Sequence, residues 1–440
     1  MTNSSYVRNF AYRLEQFPNV YRLLTNLYGL RGFNVKKITY KNNHEITKSN
    51  EIEHKKYKII FDGQCFQTLT KQRGIGKYSL SLISAICRER PDQEFAVILT
   101  NIASEEDIEF AKNLIGNLEL TNLEILVVDL FKDRKLISFA QAQIEIQGFV
   151  QEIKSEIFLT LSEFENPRYT IKILNIPNSL NVGILYDLIP LQFEDDFLQS
   201  KFQRQKYNWQ LSYLRNRDGL LSISETSRTS WINLVGDETA MQVIYGGGYN
   251  APAVNCPEFE SRRGVLCVGA ESKHKNIERL IRAYSKLDQV TRVDHPLTII
   301  GIRSQGSRSR LQRLSKKLRI NVVIPDYVSQ EELTRRYRSS RLLVMPSLAE
   351  GLSLPILEGW SCGLPCIGSR GTVAEELILE DDLLFMADKE IEMYECMNRF
   401  LTSKGEWMRA FDISMKRYQS FDWSLSAQKA LIFMENEVNV

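Results

Sequence analysis

Histidine is scarce: the 440 residues hold four, and none adjoins the closely spaced Cys362 and Cys366, which therefore lack the further ligands a zinc site needs. Cysteine itself is sparse and odd in number, at positions 65, 87, 256, 267, 362, 366 and 396, mostly within apolar contexts such as VLCVG and LPCIG. These are read as reduced core thiols of a cytosolic protein, not as a disulfide framework. An excess of one charge is missing too. With 56 basic and 54 acidic residues the formal charge is +2, and the basic residues are spread among acids, so nucleic acid is not an expected partner. No apolar run reaches membrane-spanning length and no signal-peptide pattern opens the chain, so the expected location is the cytoplasm, with a peripheral place on the inner face of the membrane left open. Finally, no Asp-x-Asp stands at a strand end. Asp195-Asp196 and Asp381-Asp382 are adjacent pairs in polar segments, and the sequence predicts a site that works without metal or other cofactor.

What remains is ordinary for a globular protein of two or three domains, 43% hydrophobic and 25% charged. Residues 1–54 read as an extension. Tyr6, Phe10, Leu14, Phe17, Tyr21 and Leu24 recur at helical spacing with Arg8, Arg13 and Arg22 between them. Such an amphipathic helix over residues 6–24 can lie on a membrane, dock on a partner or pack on its own domain. Thr39 to Lys56 reads as a linker without periodicity. Residues 55–250 then alternate strand and helix, starting with Tyr57 to Phe61 and continuing at Phe95–Leu99, Leu123–Val128, Ile157–Leu161, Val182–Tyr186 and Leu220–Ile223. A linker of little periodicity occupies 251–263. Residues 264–420 repeat the alternation, with strands at Gly264–Gly269, Leu297–Gly301, Val322–Ile324, Leu342–Met345 and Cys366–Gly368. Residues 421–440 form a closing helix. Two such halves imply an α/β protein with two doubly wound, Rossmann-like parallel sheets, whose ligands bind at the strands' carboxyl ends.

The stretch RLLVMPSLAEGLSLPILEGWSCGLPCIGSRGTVAEE, Arg341 to Glu376, organises the rest. Leu342 to Met345 is a short apolar run suited to a buried parallel strand. Pro355 fits a first helical turn, so a helix starts near Leu354 and carries Glu358 one turn in. The backbone N–H groups of Gly351, Leu352, Ser353 and Leu354, with the helix dipole behind them, suit a diphosphate, and Glu350 and Glu358 can accept hydrogen bonds from sugar hydroxyls. An arbitrary pair of glutamates is more often one loop charge and one solvated helix residue. Here the neighbours decide. Glu350 and Glu358 with GLSLPIL between them, Pro346-Ser347 before and CGLP after resemble the retaining glycosyltransferases of family 4, which have the GT-B fold.

That resemblance implies two sheets facing each other across a cleft, with Glu350 by the donor sugar and Glu358 on the ribose of the nucleotide. It extends through DGQCFQTLTKQRGIGKYSLSL, which resembles the amino-terminal loop of a bacterial subgroup including mannosyl- and rhamnosyltransferases. There Asp62 and Arg73 fall on the acceptor side, and Gly74 and Gly76 allow close approach of backbone to the donor, although taken alone they make a simple turn. At LYDLIP many relatives have His-Asp. This chain has Tyr186 before Asp187, and a phenol at neutral pH donates a hydrogen bond and does not act as base. Tyr186 is thus expected to position the donor, and Asp187 to belong to the catalytic group. Lys275, in VGAESKHKNIERLI, falls on the lysine of the family's phosphate-binding segment, and the Pro325 to Val328 loop on the base-binding loop. One departure is plain. Where many members have arginine after Val-Gly, this chain has Ala270, so that Lys273, His274 or Arg303 supplies the second positive charge or the leaving group is less well stabilised. The implied activity is transfer of a hexose or deoxyhexose of mannose, rhamnose or glucose type from a GDP-, UDP- or dTDP-linked donor to a glycan or lipid-linked saccharide in surface polysaccharide biosynthesis. A non-catalytic adaptor that keeps the same fold and assists a partner glycosyltransferase, with residues 6–24 as a contact to such a partner transferase, and an epimerase or phosphorylase using the same site, are the alternatives.

Overall fold

The computed structural model describes residues 38–40, 46–47, 56–132, 135–136, 138–166, 169–249, 258–269 and 272–438. The helix expected over residues 6–24, Ala270 and most of the 251–263 linker lie outside the described residues. Among those described, no helix is long and apolar enough to cross a membrane.

The strands, in chain order, are β1 (Ile38–Tyr40), β2 (Ile46–Thr47), β3 (Tyr57–Asp62), β4 (Phe95–Thr100), β5 (Leu123–Val128), β6 (Phe131–Lys132), β7 (Lys135–Leu136), β8 (Ser155–Thr160), β9 (Leu180–Leu185), β10 (Gly219–Ser222), β11 (Met241–Val243), β12 (Val265–Val268), β13 (Leu297–Ile300), β14 (Val322–Val323), β15 (Leu342–Met345), β16 (Cys366–Ser369) and β17 (Leu384–Phe385). One sheet runs β11-β10-β9-β8-β3-β4-β5-β1-β2 and a second runs β14-β13-β12-β15-β16-β17, while β6 and β7 form a small hairpin. Every pair from β11 to β5, and every pair in the second sheet, is parallel. The expected pair of doubly wound α/β sheets is therefore present. Parallel strands covered by helices on both faces must be apolar throughout, and β4 and β15 are buried at every position.

The winding order fixes where a site can be. In the first sheet the chain moves outward from β3 to β5 on one side and from β8 to β11 on the other, so the order reverses between β3 and β8. In the second it reverses between β12 and β15. Crevices open at those points, beyond the strands' carboxyl ends. Lys275 follows β12 and Glu350 follows β15.

Two features differ from the sequence reading. The tract from Thr39 to Lys56, expected to be linker, carries β2 and the end of β1, and β1 pairs antiparallel with β5, Ile38 opposite Val127. An edge strand of a parallel sheet presents unpaired backbone groups, and a neighbouring segment satisfies them without needing a hydrophobic repeat. The first strand also runs one residue further than expected, so Asp62 belongs to β3.

The closing helix, Trp423–Val438, lies on the first domain. Gln428 Nε2 donates to Glu89 Oε2 at 3.0 Å, Arg90 pairs with Glu435 at 3.3 Å, and the Trp423 ring meets Tyr78 edge-on at 5.0 Å. Between the domains the chain passes through Gly246 to Gly248. A Cβ on Gly248 would lie 2.4 Å from the Leu357 carbonyl oxygen, so the backbone crosses the helix Leu354–Ser361 at a distance only glycine permits.

Candidate active site

The site is assembled from two loops of the second domain. After β12 a single 3-10 turn, Lys273–Lys275, ends at Asn276, whose φ of 57° is left-handed, a conformation asparagine tolerates better than most residues. The Asn276 side chain donates to the carbonyls of Pro346 at 3.0 Å and Ala387 at 2.8 Å, and the Leu348 amide donates to the His274 carbonyl at 2.7 Å. These bonds tie the loop after β12 to the loop after β15. As a result Lys275 Nζ lies 2.7 Å from Glu350 Oε2, and Ser347 Oγ donates to Glu350 Oε1 at 2.7 Å. The carboxylate is held on both oxygens, with its side chain 9% exposed.

Just beyond it the helix Leu354–Ser361 begins, with Pro355 in its first turn as expected. Ser353 takes φ 62° and turns its hydroxyl inward, where it is buried without a partner among the described residues. The amides of Gly351, Leu352 and Ser353 likewise meet no acceptor among those residues. Amides without a partner at the positive end of a helix dipole suit an anion. Gly351 is required there: a Cβ would fall 2.7 Å from the Tyr186 carbonyl oxygen.

One turn further, Glu358 is nearly buried, and its Oε2 accepts from Tyr337 OH at 2.8 Å. From the first domain, Asp187 reaches the same region at the end of β9. Burial pushes its carboxyl up, opposed by the hydrogen bond from the Ile189 amide at 3.1 Å and by Lys275. Asp187 and Glu350 both line a cavity of about 50 Å³, with Thr226 and Ser227 from the first domain and Thr372 from the second. The structure thus brings together Lys275, Glu350 and Asp187, sets Gly351 to Leu354 beside them and places Glu358 one turn along.

Other expected residues sit elsewhere. The Tyr186 hydroxyl is 2.8 Å from Ser79 Oγ, and its ring is packed edge-on against Tyr78 inside the first domain. Its side chain faces inward with Val182 and Ile184, as alternation along β9 dictates, so it is not available to a donor sugar. Only its carbonyl touches the site. Asp62 is buried, accepts from the Gln64 amide and side chain at 3.3 and 3.0 Å, and is pushed up to about 6 by burial. Gly76 presses on the carbonyls of Thr70 and Lys71, where a Cβ would lie 2.6 Å away, while Gly74 opens on free space and Arg73 is exposed just before the helix Gly74–Glu89. Arg303 is exposed on the loop after β13. Of the cations expected to replace the missing arginine, His274 is excluded. It is buried against Phe193 and Phe197, and burial lowers it to about 4, so it is neutral at pH 7. Lys273 pairs with Asp196 across the cleft.

Sequence reasoning missed three participants. Glu165 collects Thr68, Thr70 and Ser162 hydroxyls and so shapes the loop before Gly74. Glu376, from the second domain, accepts from the Glu225 amide at 2.7 Å and the Thr226 amide at 2.9 Å. Lys77, inside the quoted RGIGKY, approaches Glu358 at 3.5 Å. No local spacing marks such long-range partners.

With this geometry in view, residues 256–412 match the family model described as Glycosyl transferases group 1. The serotype-specific mannosyltransferase WbdA of Escherichia coli is 23% identical over 400 residues, 85% of this chain and 47% of that protein. The chain spans about half the length of this relative. Among solved structures, sucrose-phosphate synthase from Thermosynechococcus elongatus superposes with a TM-score of 0.65 at 14% identity, covering 88% of this chain and all of that one (100%). HepE of Anabaena, solved with UDP and glucose, gives 0.62 at 15% identity over 87% and 100% of the two chains. The GT-B fold follows from these superpositions, and the resemblance to bacterial mannosyltransferases read from DGQCFQTLTKQRGIGKYSLSL agrees with the name of the Escherichia coli relative.

Proposed function

We propose that the chain is a GT-B glycosyltransferase that moves a hexose or deoxyhexose, with retention, from a nucleotide-diphosphate sugar to a hydroxyl of a growing glycan. The observation that carries this reading is the Lys275–Glu350 pair at the foot of a helix whose first amides and Ser353 hydroxyl have no partner among the described residues. Those donors match the leaving diphosphate, and Lys275 adds a mobile point charge to them. Glu350 orients the sugar and offsets positive charge developing at its anomeric carbon, and Glu358 holds the ribose.

In the reaction the bond from C1 to the diphosphate oxygen breaks and a bond from C1 to the acceptor oxygen forms on the same face. The acceptor proton passes to the departing phosphate oxygen, which needs no histidine base. Catalysis is then mostly electrostatic, by donors already aimed at the charge that develops. The names of the relatives favour mannose and an O-antigen or similar surface polysaccharide as acceptor. The donor is GDP-, UDP- or dTDP-linked, and no metal takes part.

A panel of nucleotide sugars screened by thermal shift selects the donor, since a ligand at a hundred times its Kd adds about 2.7 kcal/mol. Turnover with that donor, with the product anomer assigned by NMR, then tests transfer and retention. Glu350→Gln and Lys275→Met should each lower kcat on the order of 10²–10³-fold, and EDTA should leave turnover unchanged. An adaptor would instead show no turnover and keep partner activation in both variants. An inverted anomer would overturn the retaining mechanism.

A further inference from the structure

Lys77 stands on the first turn of the helix Gly74–Glu89 in the first domain, yet among the described residues its ammonium contacts only the second. Nζ donates to Gln330 Oε1 at 2.9 Å and lies 3.5 Å from Glu358 Oε1. Gln330 is oriented for this, because its Nε2 donates to Tyr249 OH at 2.6 Å. Tyr337 OH donates to Glu358 Oε2, Tyr249 OH also hydrogen-bonds to the carboxylate, and Lys77 faces Oε1. The separation exceeds that of a close charge-assisted hydrogen bond, and the Lys77 side chain is 42% exposed. This is a loose contact that solvent screens.

A nucleotide whose ribose bonds to Glu358 takes up acceptor capacity of the carboxylate that Lys77 now faces. Glu358 lies one turn from the amino end of its helix, about 6 Å along the axis, where the unpartnered amides await an anion. The reach of a lysine stem covers that distance, and a diphosphate offers more charge than the carboxylate Lys77 gives up. We propose that Lys77 is a donor-binding residue contributed by the first domain, which moves from Glu358 to the diphosphate when the ribose takes the carboxylate. The inference rests on the reading of the site given above. It explains how a donor seated on the second domain engages the first.

The test compares GDP, UDP and dTDP with guanosine, uridine and thymidine by calorimetric titration, using wild type, Lys77→Met and Lys77→Arg. Lys77→Met should weaken the diphosphate that wild type prefers about tenfold or more, while its nucleoside binds as well as before or better, since a competitor for Glu358 has gone. Lys77→Arg should restore most of the diphosphate affinity. Equal loss for nucleoside and diphosphate, or loss for neither, would overturn the role of Lys77 and leave the site reading standing. Failure of wild type to bind any of the three diphosphates would overturn the site reading, and this inference with it.

Discussion

Asp62 shows how one residue's surroundings redirect its role. It was legible in the sequence as the end of the first strand, and that is where it stands, but the side chain is turned to Gln64 and buried. Sequence gives a residue's place along a strand more readily than the partner its side chain finds. The consequence is measurable. Folded Asp62 keeps its proton to about pH 6, whereas in the unfolded chain it ionises near 3.8, so between those values the folded state binds more protons. Stability then falls as pH rises through that window. Asp62→Asn keeps an oxygen for Gln64 without the charge, and should raise stability at pH 7.5 by up to about 3 kcal/mol, with a much smaller gain at pH 4.5. Urea unfolding at the two pH values checks this, and an equal change at both contradicts it.

The element that matters most is the helix Leu354–Ser361 with its entry loop. Its start was readable because Pro355 suits a first turn, and β15 because four apolar residues in a row suit a covered parallel strand. The left-handed Ser353 was not readable, since serine carries no preference for that conformation; it lies in a loop whose Gly351 packs on the Tyr186 carbonyl and accepts from Ser224 Oγ. Nor were β1 and β2, which a polar tract forms by completing an edge. The inward Tyr186 could have been found from its register with Val182 and Ile184. Two glycine substitutions separate close approach from simple turn. Gly351→Ala pushes the loop off the Tyr186 carbonyl and should cut donor affinity and kcat/KM at least about tenfold by displacing the anion-binding amides. Gly74→Ala, whose methyl meets nothing within 4 Å, should leave turnover intact and stability unchanged or slightly higher. Steady-state kinetics and thermal unfolding of the two variants read both effects.

At the scale of the whole molecule, the repeated alternation of strand and helix announced two doubly wound halves, but not how closely they engage. Several contacts cross between them. Ser224 Oγ donates to the Gly351 carbonyl at 2.5 Å, Lys273 pairs with Asp196, and Glu376 serves as a capping carboxylate for the helix Glu225–Val235 of the other domain. Glu376 also accepts from Thr226 Oγ1 at 2.7 Å. Capping groups are ordinarily local in sequence, so no motif could point to one 150 residues away. Glu376→Ala should cost about 1 kcal/mol of stability and raise the donor KM, because the helix Glu225–Val235, whose preceding Ser224 holds the Gly351 carbonyl, loses a brace to the second domain. Urea unfolding and donor titration measure the two. The central claim, that a helix amino end with Lys275, Glu350 and Glu358 holds a nucleotide-diphosphate sugar between the domains, is met most directly by a crystal structure with the preferred nucleoside diphosphate bound. The account predicts phosphate oxygens within hydrogen-bonding distance of the Gly351 to Leu354 amides and of Lys275, with the ribose on Glu358. A nucleotide seated away from these groups would contradict it.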